Sequence, residues 1–179
     1  MSGKPTSAHI VIGPESSGTR FLTGILIDAG CTGDTGHAQR WDTMVPKTKK
    51  YQHIVWRKSV PHGKAWPRLT HMVRTLESNG YKDVRVIVLV REPFALQHSQ
   101  VKRRHVPNVA AACCNIRKAY LHIFNHLAKS GAAFSVVSYE ALALHGAPAR
   151  RSILEELGLR LLKPNVTPRN ENAKHYKHK

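Results

Sequence analysis

The sequence predicts an α/β domain of three layers, with a mostly parallel central sheet of about four to five strands. Three observations carry this reading. Short apolar runs alternate with helical patterns along the whole chain. Val84, Arg85, Val86, Ile87, Val88, Leu89 and Val90 form a near-continuous apolar run, which suits a central strand covered on both faces. Another apolar run, 9–12, passes through a small-residue loop at 13–18 directly into a helical pattern. The 179 residues, 41% of them hydrophobic, suffice for one core without a disulfide or metal staple.

The elements follow in order. After the first strand and its loop, Phe21, Leu22, Ile25, Leu26 and Ala29 share one helix face, and Gly30 supplies the stop. Residues 31–50 carry Gly33, Gly36, Pro46 and the cluster Lys47, Lys49, Lys50, and read as a mobile loop. A strand over 52–57 comes next, then Leu69, Met72, Val73 and Leu76 at helical spacing up to Asn79-Gly80. Beyond 84–90, Pro93 introduces a short helix over 94–103. A longer helix starts from Asn108 as its cap and aligns Val109, Ala112, Cys113, Ile116, Ala119, Tyr120, Ile123 and Leu127 until Gly131. Residues 134–137 are the last strand. Pro148 then opens a final helix, with Ile153, Leu154 and Leu157 inward and Gly158 as its stop. These elements make one domain over 1–163, and 164–179 reads as a basic tail.

Lysine and arginine number 28 against 11 acids, a net charge of +17, with 12 histidines besides. Such an excess does not specify a fold, but it points to an anionic partner. The ordinary hydrophobic balance excludes a wholly disordered chain, and no apolar run approaches the ~20 residues of a membrane span. Cys31 stands alone while Cys113 and Cys114 are adjacent, so the cysteines form neither a disulfide framework nor a C-x-x-C site. A reducing cytoplasm is the expected compartment.

A strand feeding Gly13-Pro14-Glu15-Ser16-Ser17-Gly18-Thr19-Arg20 and then a helix outlines a phosphate cradle. Its glycines let backbone amides approach an oxyanion, and the helix start adds positive potential. The spacing matches the G-x-x-x-x-G frame of nucleotide-hydrolysing loops, yet Thr19 stands where that motif needs Lys. Arg20 stands where it needs a hydroxyl for magnesium. The strongest strand ends in Arg91, where a magnesium site wants Asp. Both positions favour an anion bound without a metal and count against a nucleotide or sugar kinase.

Ser17-Gly18-Thr19-Arg20 resembles the S-G-T-[TR] loop with which sulfotransferases hold the 5′-phosphosulfate end of 3′-phosphoadenosine 5′-phosphosulfate (PAPS). The segment 86–100 resembles their second signature, a strand-terminal Arg and a Ser eight positions later that grip the 3′-phosphate; Arg91 and Ser99 fall on those places. Val137-Ser138-Tyr139-Glu140-Ala141-Leu142 and the helix after it look like a third family segment. The resemblance implies a sulfotransferase-like P-loop fold that uses PAPS, with Ser16, Ser17, Gly18, Thr19, Arg20, Arg91 and Ser99 binding it. The activity implied is sulfuryl transfer to a hydroxyl or amine acceptor.

The chain departs from the family at one charge. Many sulfotransferases carry Lys just ahead of S-G-T, and here the residue is Ser16. Arg20, Arg57 or Lys58 are the candidates to replace it. Arg57-Lys58-Ser59-Val60-Pro61 resembles the family's K-T-H-L-P segment, with Ser59 in the place of His; His62 lies just beyond. His62 and Glu15 are therefore the two candidates for a general base. The basic tail from Asn170 onward is a candidate cover for the 3′-phosphate, and an acceptor pocket has only 31–66 and 101–110 to draw on. A protein of the same fold that binds nucleic acid or another polyanion is the alternative reading. Its tryptophans, Trp41, Trp56 and Trp66, are not interleaved with a basic strand pattern as strand-stacking proteins require.

Overall fold

The computed structural model describes residues 7–33, 51–63, 65–160 and 171–176. Strand β1 (Ser7–Pro14) leads to α1 (Thr19–Asp28), the short β2 (Thr32–Gly33), β3 (His53–Val60), α2 (Leu69–Ser78) and β4 (Asp83–Val90). Then come α3 (Pro93–Lys102), α4 (Val109–Ser130), β5 (Ala133–Ser138), α5 (Tyr139–Leu144), α6 (Gly146–Glu156) and α7 (Ala173–Tyr176). The strands form one five-stranded sheet in the order β2-β3-β1-β4-β5, and every pairing is parallel. The α/β class and mostly parallel sheet expected from the sequence are what the chain adopts.

Strand alternation divides the core in two, because successive side chains point to opposite faces of a sheet. Ala8, Ile10 and Ile12 of β1, with Val84, Val86 and Val88 of β4, meet Leu69, Met72, Val73 and Leu76 of α2 and Ala119, Ile123 and Leu127 of α4. On the other face Val11, Val55, Ile87 and Leu89 meet Leu22, Ile25 and Leu26 of α1 and Ile153 and Leu154 of α6. Both faces of β4 are thus covered, which is why that strand reads as an unbroken apolar run.

The strands outrun the apolar stretches that reveal them. β1 pairs with β3 from Ser7↔His53 to Pro14↔Val60, so backbone pairing carries both strands through polar and small residues. Thr32 and Gly33 pair with Ile54 and Val55, adding an edge strand to a segment that reads as loop; residues 34–50 of that segment lie outside the described residues. α4 buries Ala112, Ile116, Ala119, Ile123 and Leu127. Val109 and Cys113, expected on the same stripe, are exposed, Cys113 because it sits about 100° around the helix from Ala112. The region after β5 holds two helices, α5 and α6, the first capped by the Ser138 hydroxyl, which accepts from the Ala141 amide at 3.2 Å. Among the described residues no helix is long and apolar enough to cross a membrane.

His9 lies fully buried in β1, and burial drives its pKa from 6.5 down to about 4, with Asp83 opposing and His53 and Arg85 adding to the shift. Its neutral form is favoured in the folded chain, so this contribution to stability is whole above pH 6.5 and is lost as the pH falls toward 4. The share amounts to about 3 kcal/mol. Urea unfolding of wild type and His9→Leu between pH 7 and 4 is expected to show a correspondingly shallower decline in the variant; parallel declines would contradict the assignment.

Candidate functional site

The chain leaves β1 toward β3 on one side and later returns to β4 on the other. Such a reversal of strand order, at the carboxyl ends of the strands, is where open parallel sheets hold ligands. A cleft of about 630 Å³ opens there, a size typical of small-molecule sites.

Its floor is the loop after β1. Ser16 takes φ 69° and Gly18 φ 99°, left-handed values that favour glycine at the second position. A Cβ on Gly18 would also lie 2.6 Å from the Tyr139 ring, and one on Gly13 would lie 2.5 Å from Ser17 Oγ and 2.7 Å from the Leu89 carbonyl oxygen. The loop therefore needs glycine at both ends for reasons of space. Thr19 and Arg20 carry the first amides of α1, which have no partner within the helix and point toward its N-terminal end.

Arg91 leaves the end of β4 and turns its guanidinium onto this loop. Nη1 donates to the Ser16 carbonyl at 2.7 Å, Nε donates to Asn172 Oδ1 at 2.8 Å, and Cζ lies 4.7 Å from the centre of the Tyr139 ring. The residue is 8% exposed, yet Nη2 has no hydrogen-bond partner among the described residues; the hydroxyls of Ser16 and Ser17 share that condition. Burial pulls the Arg91 pKa below its ordinary value, opposed by Tyr139, Glu140 and Glu171, and the guanidinium stays charged. A buried cation with an unused donor is costly unless an anion pairs with it.

The predicted residues divide by geometry. Glu15, Ser16, Gly18, Thr19, Arg20, Arg57, His62 and Arg91 all line the cleft. Ser17 does not: it is fully buried, with its hydroxyl beside Gly13. Arg57 and Lys58 are neighbours on β3 and so face opposite ways; Arg57 lines the cleft, and Lys58 lines a second cavity. Ser99 is 3% exposed and lies outside the cleft lining. The next residue, Gln100, reaches the loop instead: Nε2 donates to the Glu15 carbonyl at 2.8 Å, and Oε1 accepts from Asn115 Nδ2 at 3.2 Å. Glu15 is heavily engaged, since Oε1 accepts from the Gly63 amide at 3.2 Å and Oε2 lies 3.5 Å from His105 Nδ1.

Other lining residues come from segments that the sequence marked only as regions, 101–110 and 137–142. Tyr139 walls the cleft from the start of α5, and Arg103 and His105 reach it from the end of α3. There Arg104 takes φ 58°, and the His105 amide donates to the Gln100 carbonyl at 3.0 Å, which turns the chain back. Arg103 to His105 are visible in the sequence as a basic run, but only this helix ending decides which of them face inward.

Residues 171–176, read from the sequence as tail, pack over the site; 164–170 and 177–179 lie outside the described residues. Asn172 is 3% exposed and bridges two groups, accepting from Arg91 and donating to Glu140 Oε1 at 2.7 Å. The Glu171 amide donates to the Tyr139 hydroxyl at 3.2 Å, and the Tyr176 hydroxyl donates to Glu92 Oε2 at 2.6 Å. Lys174 pairs with Glu171, and both line the cleft. Among the described residues five lysine or arginine side chains line it (Arg20, Arg57, Arg91, Arg103 and Lys174) against two carboxylates, Glu15 and Glu171. The arrangement suits a multiply charged anion. Among the described residues there is no cluster of side chains able to hold a metal ion.

The chain is similar in structure to the sulfotransferase domain of the Synechococcus PCC 7002 olefin synthase, with a TM-score of 0.57 at 15% sequence identity. The match covers 100% of this chain and 80% of that one. The fold is sulfotransferase-like. No protein-family model matches the chain, and no curated protein matches it.

Replacing Asn172 with Ala removes the partner of Arg91 Nε and strips Glu140 of one donor. Leaving such buried groups unsatisfied costs about 1–3 kcal/mol. The urea midpoint of Asn172→Ala is expected to fall accordingly, and a midpoint equal to wild type would show that the bridge carries no stability.

Proposed function

We propose that the protein is a PAPS-dependent sulfotransferase acting on a hydroxyl or amine acceptor. The observation that carries this reading is Arg91: a buried guanidinium, locked onto the phosphate-type loop, with one amino group that has no partner among the described residues. The sulfotransferase-like fold and the cationic excess of the cleft support it. In this reading the first amides of α1 and Arg20 receive the phosphosulfate end, and Arg91 with Arg103 receives the second phosphate. Ser99 has no part in it, because it does not line the cleft.

Held in this cleft, PAPS would supply a sulfuryl group for the acceptor's oxygen or nitrogen, with the bisphosphate as the leaving group. This chain's part is alignment and neutralisation of charge. Arg57 and Arg20 line the cleft and supply the charge that the family's loop lysine provides. His62 takes the acceptor's proton. It is brought to the cleft by a tight turn in which its amide donates to the Ala65 carbonyl at 2.7 Å. Glu15, held between Gly63 and His105, serves to tie the loop to the turn after β3.

Calorimetry with adenosine 3′,5′-bisphosphate is expected to show binding that needs no magnesium and persists at moderate salt, weakened at least about tenfold by Arg91→Ala. Tighter binding of magnesium-ATP, or an affinity that collapses with salt as polyanion binding does, would overturn the proposal. With a turnover assay in hand, His62→Ala is expected to lower the transfer rate about 10²–10⁴-fold, and an unchanged rate would remove His62 as the base.

A further inference from the structure

The apolar layer between the sheet and α4 ends before the sheet does. Val86 and Val88 of β4 are fully buried on that face, and their partners in register on β5 are Phe134 and Val136. Side chains in register on neighbouring strands stand on the same face, yet these two are 53% and 51% exposed. α4 adds a third apolar group. Phe124, 40% exposed, lies about 160° around the helix from His126, whose Nδ1 is 3.3 Å from Thr70 Oγ1 on α2. It therefore projects from the flank turned away from α2, which the strand order β3-β1-β4-β5 places on the β5 side.

β5 is also the last strand of the sheet. It pairs with β4 on one side, and among the described residues no backbone hydrogen bond reaches its other side. The outer edge presents a row of backbone N–H and C=O groups, a template that soluble proteins ordinarily blunt with lysine, proline or a bulge. Ala133–Ser138 contains no proline and no charged residue.

We propose that this edge and face bind a second copy of the chain, β5 pairing antiparallel with its counterpart about a two-fold axis. Charge selects the occupant. The chain carries +17, so two copies repel wherever their cations face each other. Its longest stretch without lysine or arginine is 130–149, 20 residues that include the whole of β5. An acidic partner gains nothing from a strand with no cation, whereas a second cationic copy meets the least repulsion there.

Symmetry supplies the fit. A two-fold axis perpendicular to the sheet leaves each strand's side chains on their own face, so Phe134 and Val136 of both copies meet beneath Phe124. Phe134 and Phe124 leave about 200 Å² of aromatic surface per copy. That is the apolar centre of a contact at the lower end of specific interfaces, about 1,200 Å² in total. The dimer is accordingly weak, with a dissociation constant on the order of 10 µM. Paired antiparallel strands end in opposite directions, so the two clefts open at opposite ends of the joined sheet. The inference is independent of what the cleft binds.

The test is sedimentation velocity on the full chain from about 1 µM to about 200 µM, with monomer expected at the low end and dimer at the high end. Raising the salt from about 0.05 M to about 0.5 M is expected to strengthen the dimer by screening the repulsion between copies. An assembly bridged by a polyanion would weaken instead. Val136→Lys is expected to weaken the dimer at least about tenfold, and Phe124→Ser to act in the same direction. Both residues are exposed, and circular dichroism checks that each variant is folded. In wild type, hydrogen exchange of the β5 amides is expected to slow as the concentration rises, a readout that needs no variant. A monomer at every concentration, a dimer that weakens with salt, a dimer untouched by both folded variants, or β5 exchange independent of concentration would each overturn the inference. A chain that stays monomeric and binds phosphatidylcholine–phosphatidylserine vesicles, losing them in Phe124→Ser, would assign the face to a lipid surface and overturn it as well.

Discussion

The site depends on one contact, the hydrogen bond from Arg91 Nη1 to the carbonyl of Ser16. It joins the end of β4 to the loop after β1, two segments 75 residues apart in sequence that the sheet brings side by side. It fixes the guanidinium plane, and with Asn172 on Nε, Nη2 is the guanidinium nitrogen that has no partner among the described residues. It also turns the Ser16 carbonyl, an acceptor that would repel an anion, toward a cation. The loop's amide-bearing side is then free to face the cleft. A lysine at 91 could not replace this geometry, since a point charge cannot donate in two fixed directions at once.

Around that contact the structure spends its buried polar groups on holding backbone still. Gln100 fixes the Glu15 carbonyl and is itself oriented by Asn115 of α4. Glu92 caps α3 by accepting from the amides of Phe94 and Ala95 at 2.9 and 2.6 Å. Burial pushes its pKa up, but the Tyr176 hydroxyl, those two amides and the Arg91 charge outweigh burial and hold it below its ordinary value. The same carboxylate thus anchors both the helix and the C-terminal segment. Such a network rigidifies when every member is satisfied.

The fold was largely legible in the sequence because sheet and helix burial write themselves as period. β4 is covered on both faces and reads as unbroken apolar residues; α2 is covered on one face and reads as Leu69, Met72, Val73 and Leu76. β2, two residues long, left no period to read. The loop and Arg91 were legible because their residue types are rare in those positions. The sequence marked 101–110 and the tail from Asn170 only as regions; that Arg103, His105 and Tyr139 line the cleft and that Asn172 holds Arg91 is decided by tertiary turns and pairings. The Arg91–Asn172 bond spans 81 residues, and no local pattern encodes it. Ser99 shows the converse: spacing after Arg91 pointed to it, but helix rotation buries it and hands the loop contact to Gln100.

The central claim is that Arg91 presents its unused amino group to one phosphate of a doubly phosphorylated adenosine while the loop holds the other. Phosphorus-31 NMR of adenosine 3′,5′-bisphosphate, titrated with wild type and with Arg91→Lys, reads both phosphates separately. The account predicts that both resonances move with wild type and that only one of them returns to its free position with Arg91→Lys. Two resonances that respond identically to the substitution, or that never move, would contradict it.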